Sequence, residues 1–130
     1  MRNKIVLADD ESAVRSYVKS ILRRDGFEVF EAEDGLEALG MIRQLEGDVD
    51  LLVTDVRMPR MDGPTLAESV IREYPDISIL FISGYWLDVN QENRKYHDKT
   101  CGYVRKPFLP KALLEAVTHC LGPKKAVSSA

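Results

Sequence analysis

The sequence has little of what marks membrane, secreted or nucleic-acid-binding proteins. None of its 130 residues belongs to an apolar run approaching the roughly 18 residues of a membrane span. The opening MRNKIVLADD turns acidic too early for a signal peptide. The formal net charge of −3 argues against binding nucleic acid through bulk electrostatics. We therefore expect a cytoplasmic protein that contacts neither membrane nor nucleic acid directly.

Cysteine is also scarce, with only Cys101 and Cys120 in the chain. Their spacing matches no metal-binding motif. We expect two free thiols in a reducing cytoplasm, with a disulfide between them as the less favoured alternative.

What the chain does contain is a regular alternation of short apolar runs and segments of helical periodicity. KIVLA, DLLVT and SILFIS are near-continuous apolar runs, typical of strands that are covered on both faces. Val14, Val18, Ile21 and Leu22 lie on one stripe of an amphipathic helix. The pattern predicts β1 4–8, α1 11–24, β2 28–32, α2 35–45, β3 50–54, α3 64–74, β4 78–82, a poorly defined α4 within 84–100, β5 102–105 and α5 110–121.

Strict alternation of strands and helices with short loops predicts a parallel sheet with helices on both faces. Hydrophobic residues make up 45% of the chain and charged residues 30%, which is ordinary for one globular domain. We see no internal repeat and no second domain. We expect the domain to cover residues 1–121, with 122–130 a flexible tail or the start of a linker.

Polar side chains follow four of the predicted strands. Asp9 and Asp10 come after β1, Asp55 after β3 and Lys106 after β5, while Ser83 closes β4. Taken singly, each has a structural explanation: the first two aspartates could cap α1, and the others could be loop or turn residues. Open α/β sheets bind ligands beyond the carboxyl ends of their strands. The convergence of five such residues at one edge therefore favours a shared site.

The chemistry of this set indicates phosphoryl transfer. Three crowded carboxylates repel one another and need a cation, and hard oxygen ligands that leave room for a phosphate suit Mg²⁺. A divalent ion and a lysine ammonium together stabilise a phosphoryl group. A carboxylate can itself be the nucleophile. The residues thus predict Mg²⁺-assisted phosphoryl transfer onto an aspartate.

Four motifs carry a family resemblance: ADDE (8–11), TDVRMPRMDG (54–63), FISG (81–84) and GYVRKPF (102–108). In order and spacing they resemble the receiver domain of two-component response regulators, over about residues 4–121. The resemblance implies the flavodoxin-like, three-layer αβα fold, with a doubly wound five-stranded parallel sheet in the order 2-1-3-4-5.

The resemblance also implies roles at the acidic end of the site. Asp55 would take a phosphoryl group from a sensor histidine kinase or phosphotransfer protein. Asp9, Asp10 and Asp55 would bind Mg²⁺, with Asp10 the more direct ligand and the backbone carbonyl of Arg57 completing the set. Such a protein is not an enzyme for a separate substrate, since it catalyses its own phosphorylation and dephosphorylation.

Further roles fall on the last two strands. Lys106 would contact the phosphoryl oxygens, preceding a cis bond to Pro107, and Ser83 would hydrogen-bond the phosphoryl group. When Ser83 moves, Tyr103 would turn inward and change the α4–β5–α5 face, where a downstream protein binds. The family includes monomers and phosphorylation-dependent dimers.

Three alternatives stand beside this interpretation, two of them from other classes of protein. An aspartyl phosphohydrolase would need a second aspartate two residues after the nucleophile, where this chain has Arg57. A flavodoxin-type cofactor binder would need a Ser/Thr/Gly-rich loop after β1, where ADDESAV is acidic. A receiver module cut from a longer hybrid kinase or DNA-binding regulator stays open.

Overall fold

The structure is a computed structural model that describes residues 3–84 and 100–128. Within these ranges, five strands alternate with four helices. They are β1 Lys4–Ala8, α1 Ser12–Arg24, β2 Glu28–Ala32, α2 Gly35–Gln44, β3 Leu51–Asp55, α3 Gly63–Glu73, β4 Ser78–Ser83, β5 Thr100–Arg105 and α5 Pro110–Ser128. The predicted α4 falls within residues 84–100, and of these only residues 84 and 100 belong to the described part. We reserve the label α4 for this segment, so the last helix is called α5.

All neighbouring strands pair in parallel, in the order β2-β1-β3-β4-β5, which confirms the predicted topology. The order places β1 beside β3 at the centre of the sheet. Ala8 at the end of β1 pairs with Thr54 on β3. The residues that follow, Asp9 and Asp55, therefore leave the sheet side by side.

Helices cover both faces of the sheet, and each face has its own core. One face packs against α2 and α3 and contains Leu52 and Phe81, whereas the other packs against α1 and α5 and contains Val53 and Ile82. Consecutive strand residues point to opposite faces, so a strand buried on both sides must be apolar throughout. β3 follows this rule at Leu51, Leu52 and Val53, and its buried polar residues, Thr54 and Asp55, lie at the end that reaches the site.

Most predicted boundaries lie within one residue of the observed ones, and the differences that matter are in β3, β5 and α5. Asp55 is the last residue of β3 rather than the first residue after it, and β5 begins at Thr100 instead of residue 102. The early start of β5 comes with an irregularity in its pairing with β4, which hydrophobic periodicity does not reveal. Beyond the predicted end of α5, Gly122 leaves the helical conformation with φ of 78°, and helix resumes as far as Ser128.

The expectation of two free thiols was wrong, because Cys101 and Cys120 form a disulfide. Cys101 lies on β5 and Cys120 on α5, and the packing of this helix against the strand brings their Cα atoms to 5.1 Å. That separation is within the usual range for a disulfide. Residues 19 positions apart in sequence carry no local sign of such proximity.

In the described part of the chain, every helix is too short or too polar to traverse a lipid bilayer.

Candidate functional site

The candidate site is built around one ammonium group at the carboxyl edge of the sheet. The Lys106 Nζ atom lies 3.0 Å from Oδ2 of Asp55, 3.0 Å from Oδ2 of Asp9 and 3.0 Å from Oε1 of Glu11. These side chains come from the ends of β1, β3 and β5 and from the start of α1. The structure therefore brings Asp9, Asp55 and Lys106 together.

The backbone of Lys106 is fixed by the sheet. Its N–H donates a 2.8 Å hydrogen bond to the carbonyl oxygen of Ser83, which continues the ladder between β4 and β5 by one residue. The bond from Lys106 to Pro107 is cis, as the resemblance implied. The lysine side chain is only 14% exposed, so its charge is partly withdrawn from water.

Asp9 is fully buried, and its two carboxylate oxygens are in different situations. Oδ1 accepts a 2.9 Å hydrogen bond from the Glu11 N–H. Among the described residues, nothing donates to Oδ2 with hydrogen-bond geometry, although Nζ of Lys106 is 3.0 Å away. We regard that contact as an ion pair without a directed hydrogen bond. A buried carboxylate oxygen in this state is suited to a cation.

The alternative interpretation of Asp9 and Asp10 as helix caps is not supported. The N-cap of α1 is Glu11, whose side chain makes no capping hydrogen bond. The side chain of Asp9 instead bonds the N–H of that N-cap residue, ahead of the first helical turn.

Asp55 is also buried, with 7% of its surface exposed. Its Oδ1 accepts a 2.8 Å hydrogen bond from the Val56 N–H, and Oδ2 accepts one of 3.0 Å from Lys106. Asp55 lines a cleft of about 460 Å³ together with Asp10, Glu11, Arg57, Gly84 and Lys106. A carboxylate held by two donors at the floor of an open cleft can be reached by a small phosphorylated group.

The site has more negative than positive charge, because three carboxylates contact one ammonium group. Burial raises the pKa of Asp9. Burial also raises the pKa of Asp55, and the nearby charge of Asp9 raises it further. Burial by itself would lower the pKa of Lys106, but contacts with Asp9 and Asp55 outweigh it, so the pKa of Lys106 is raised. Lys106 therefore stays protonated, while burial disfavours the charged forms of Asp9 and Asp55 and the charge of Asp9 repels that of Asp55.

Glu11 is the site residue that the sequence interpretation missed. Carboxylate oxygens of Asp9, Glu11 and Asp55 lie within 4.8 Å of one another and could together hold a metal ion. Asp10, which we expected to be the more direct ligand, is exposed and lines the same cleft but does not belong to this cluster. The available signal was the third acid in ADDE: the turn closed by Asp9 brings Glu11 back over the site.

The other predicted residues surround this centre. Ser83 is buried at the end of β4, one residue before Gly84 in the cleft wall, and Arg57 is exposed on the same wall. Tyr103 is half-buried on the edge strand β5, opposite Phe81, with the two rings stacked at 5.8 Å. The structure therefore brings Arg57 to the cleft and places Ser83 next to it, and it places Tyr103 on the strand that leads to Lys106.

The loop after Asp55 folds back closely on the site. A Cβ atom on Gly63 would lie 2.1 Å from the carbonyl oxygen of Asp55, and the Gly63 N–H donates to the Val56 carbonyl at 2.8 Å. Only a residue without a side chain permits this approach. The N-cap of α3, Asp62, then accepts a 2.9 Å hydrogen bond from the Thr65 N–H.

A second contact, also missed from the sequence, holds the same loop to α2. Asp34 is buried, caps α2 through the Glu37 N–H at 2.9 Å and forms an ion pair with Arg60. Hydrogen bonding from the α2 backbone, together with Arg60, lowers the pKa of Asp34. Arg60 has a positive φ of 67°, and its neighbour Met61 accepts a 3.1 Å hydrogen bond from the Gly35 N–H.

Comparison with known proteins agrees with this arrangement. The family described as response regulator receiver domain matches residues 5–118. The chain is 41% identical over 117 residues to the sensor kinase CckA of Brucella abortus, covering 90% of this chain and 12% of that protein. It is 34% identical to a chemotaxis protein CheY homolog of Campylobacter jejuni, covering 92% of each. The solved receiver domain of the hybrid histidine kinase CckA superposes with a TM-score of 0.78 at 37% identity, covering 92% of this chain and all of that one.

A flavodoxin-like fold with two buried aspartates and a lysine at the carboxyl edge of its sheet defines a class of signalling switches. This chain belongs to the receiver domain family of two-component response regulators. It spans 12% of the length of the Brucella sensor kinase and 44% of the length of the aerobic respiration control protein ArcA of Escherichia coli, which it also matches.

Proposed function

We propose that this receiver domain acts in the cytoplasm and accepts a phosphoryl group on Asp55 from a sensor histidine kinase or phosphotransfer protein. The observation that carries the proposal is the buried Asp55 carboxylate, 3.0 Å from a lysine ammonium and open to the cleft. An oxygen of Asp55 forms the new bond to phosphorus as the bond between phosphorus and the donor nitrogen breaks. The domain supplies the catalytic groups for its own phosphorylation and dephosphorylation.

Lys106 and Ser83 contribute to charge stabilisation and orientation in this proposal. Because its pKa is raised, Lys106 carries a full positive charge at neutral pH and can contact the phosphoryl oxygens. Ser83 is buried one residue before the cleft wall, from which a hydroxyl can donate to the phosphoryl group.

The acidic residues fit a bound Mg²⁺. Three carboxylates around one ammonium have a formal net charge of −2, and Oδ2 of buried Asp9 lacks a hydrogen-bond donor among the described residues. We propose that Asp9, Asp10 and Asp55 hold Mg²⁺ together with the carbonyl of Arg57. When bound, Mg²⁺ supplies compensation for the negative charge of carboxylates and phosphoryl oxygens. Glu11 then serves chiefly as the outer partner of Lys106.

Phosphorylation would be transmitted through the end of the sheet. Ser83 and Tyr103 form the proposed switch, since β4 carries the first and the neighbouring edge strand carries the second. Tyr103 is half-buried with its ring stacked on that of Phe81, and the proposed switch moves this ring to a second position when Ser83 moves. The surface changed would be the α4–β5–α5 face, where a downstream protein, or a second copy of the chain, would bind.

Two settings for the domain are supported by its relatives. The CheY homolog has nearly the same length as this chain, whereas the matched part of the sensor kinase is a small portion of a much longer protein. We propose residues 1–121 as the receiver domain and 122–130 as a flexible tail or the start of a linker.

Intact mass after incubation with acetyl phosphate and Mg²⁺ tests the proposed chemistry. We expect one added phosphoryl group in the wild type, none without Mg²⁺ and none in Asp55→Asn. The matched control is Asp48→Asn, which removes an exposed carboxylate paired with Lys4 and should be phosphorylated normally. An adduct on Asp55→Asn equal to that on the wild type would contradict the assignment.

A further inference from the structure

The disulfide between Cys101 and Cys120 lies away from the acidic site, at the start of β5. Both cysteines are partly buried and pack against the core that α1 and α5 form with the sheet. The bond joins the edge strand of the sheet to the helix that covers it. β5 has a strand neighbour on one side only, so a covalent link to α5 adds a second attachment.

A bulge in β5 turns the side chain of Cys101 towards α5. Thr100 pairs with Ile79 and Gly102 pairs with Leu80, which leaves Cys101 as an extra residue between two consecutive positions of β4. In a regular strand, residues 101 and 103 would point to the same face. Here Cys101 packs on the α5 face and Tyr103 on the opposite face.

The segment closed by the disulfide contains the functional end of β5. Cys101 and Cys120 are 19 residues apart, and between them lie Tyr103, Lys106 and the first turns of α5. The bond therefore restrains the part of the chain that presents the site lysine, while Asp9 and Asp55 lie outside the closed loop.

We propose that Cys101 and Cys120 form a reversible redox site for low-molecular-weight thiols and disulfides, and that oxidation fastens β5 to α5. One cysteine thiolate attacks the small disulfide, releasing one small thiol and leaving a mixed disulfide. The second cysteine then displaces the other small thiol and closes the protein bond. The two cysteines lose two electrons and two protons, and the small disulfide becomes two thiols.

The partial exposure of the two cysteines and the proposed cytoplasmic location of the domain both favour thiol–disulfide exchange over a permanent cross-link. Neither cysteine residue is fully buried, as exchange with a small thiol requires. In the cytoplasm, where we place this domain, protein disulfides are usually transient and serve redox sensing. The geometry permits oxidation within one chain and requires no second molecule.

A redox titration of the intact chain tests the site. The protein is equilibrated in buffers of increasing oxidised to reduced glutathione, free thiols are trapped by alkylation, and intact mass is recorded under non-reducing conditions. We expect monomers with two free thiols to give way to monomers with none, reversibly. Thiols that stay free in oxidised glutathione, a disulfide between two chains, or a bond that survives excess reduced glutathione would each overturn the proposal.

Thermal unfolding tests the fastening of β5. The disulfide closes a loop between residues 19 positions apart, so its reduction should lower the melting temperature by about 10 °C. Cys120→Ser should melt at the same temperature with and without reductant. Equal melting temperatures for oxidised and reduced wild type would refute the fastening. Asp55→Asn should titrate like the wild type, so a failure of the phosphorylation experiment and a failure of this one are separable.

Discussion

Replacement of the proposed phospho-acceptor should stabilise the metal-free protein. Asp55 is buried, and carboxylate oxygens of Asp9 and Glu11 lie within 4.8 Å of it. At an effective dielectric constant of about 20, repulsion across that distance is about 3.5 kcal/mol for the buried Asp9 and less for the exposed Glu11. Attraction to Lys106 at 3.0 Å is about 5.5 kcal/mol on the same scale. The charge terms nearly cancel, and the cost of burying the charge then decides the sign.

We therefore expect Asp55→Asn to raise the free energy of unfolding by about 1–2 kcal/mol at pH 7 in EDTA. The amide oxygen can keep the hydrogen bond from the Val56 N–H, but the amide NH₂ group then faces Lys106, so one of the two hydrogen bonds is lost on substitution. Urea denaturation followed by circular dichroism measures the difference. The exposed control Asp48→Asn should stay within about 0.5 kcal/mol of the wild type.

The same difference should depend on pH in a defined direction. Burial and the charge of Asp9 raise the folded-state pKa of Asp55, so the folded protein holds its proton to higher pH than the unfolded chain does. Wild-type stability then falls as pH rises from the unfolded pKa, about 3.9, through the folded pKa, while Asp55→Asn lacks this contribution. The advantage of the variant should be absent below the unfolded pKa and complete above the folded one.

Adding Mg²⁺ should reverse the order of stability. Mg²⁺ at a hundredfold excess over its dissociation constant would stabilise the wild type by about 2.7 kcal/mol, and the variant by less because a proposed ligand is gone. A variant that is less stable than the wild type in EDTA at pH 7 would refute the reasoning, since the lysine attraction would then outweigh burial and repulsion.

Three further perturbations test the supports of the site. Asp34→Ala removes a helix cap and an ion pair, and should cost about 1–2 kcal/mol in urea denaturation at neutral pH. Because the folded pKa of Asp34 is lowered, this contribution should be lost as pH falls through that pKa, and unchanged neutral stability would contradict the capping role. Gly63→Ala should cost about 1–3 kcal/mol and slow phosphorylation, because its Cβ would meet the Asp55 carbonyl 2.1 Å away; wild-type behaviour would show that the loop can yield. Lys106→Met leaves three carboxylates without their shared cation and should cost about 3–5 kcal/mol in EDTA, less in Mg²⁺; an equal loss in both would argue against a cation at this cluster.

The architecture and the centre of the site could be predicted from local patterns together with the family resemblance. Short continuous apolar runs and helical stripes are local properties, and their strict alternation predicts a parallel sheet with right-handed crossovers. The strand order that the family resemblance implies places β1 beside β3, so Asp9 and Asp55 leave the sheet side by side, and Lys106 follows β5 at the same edge. That prediction needed no knowledge of side-chain contacts.

Features that depend on the direction of individual side chains could not be predicted before the elements were packed together. Glu11 joins the cluster because a turn closed by Asp9 redirects the chain, and the ion pair of Asp34 with Arg60 connects two loops that are distant in sequence. Cys101 reaches α5 only because one extra residue in β5 reverses the face to which it points. Periodicity states which residues share a face of an element, but turns, bulges and the packing of one element on another determine which side chains touch.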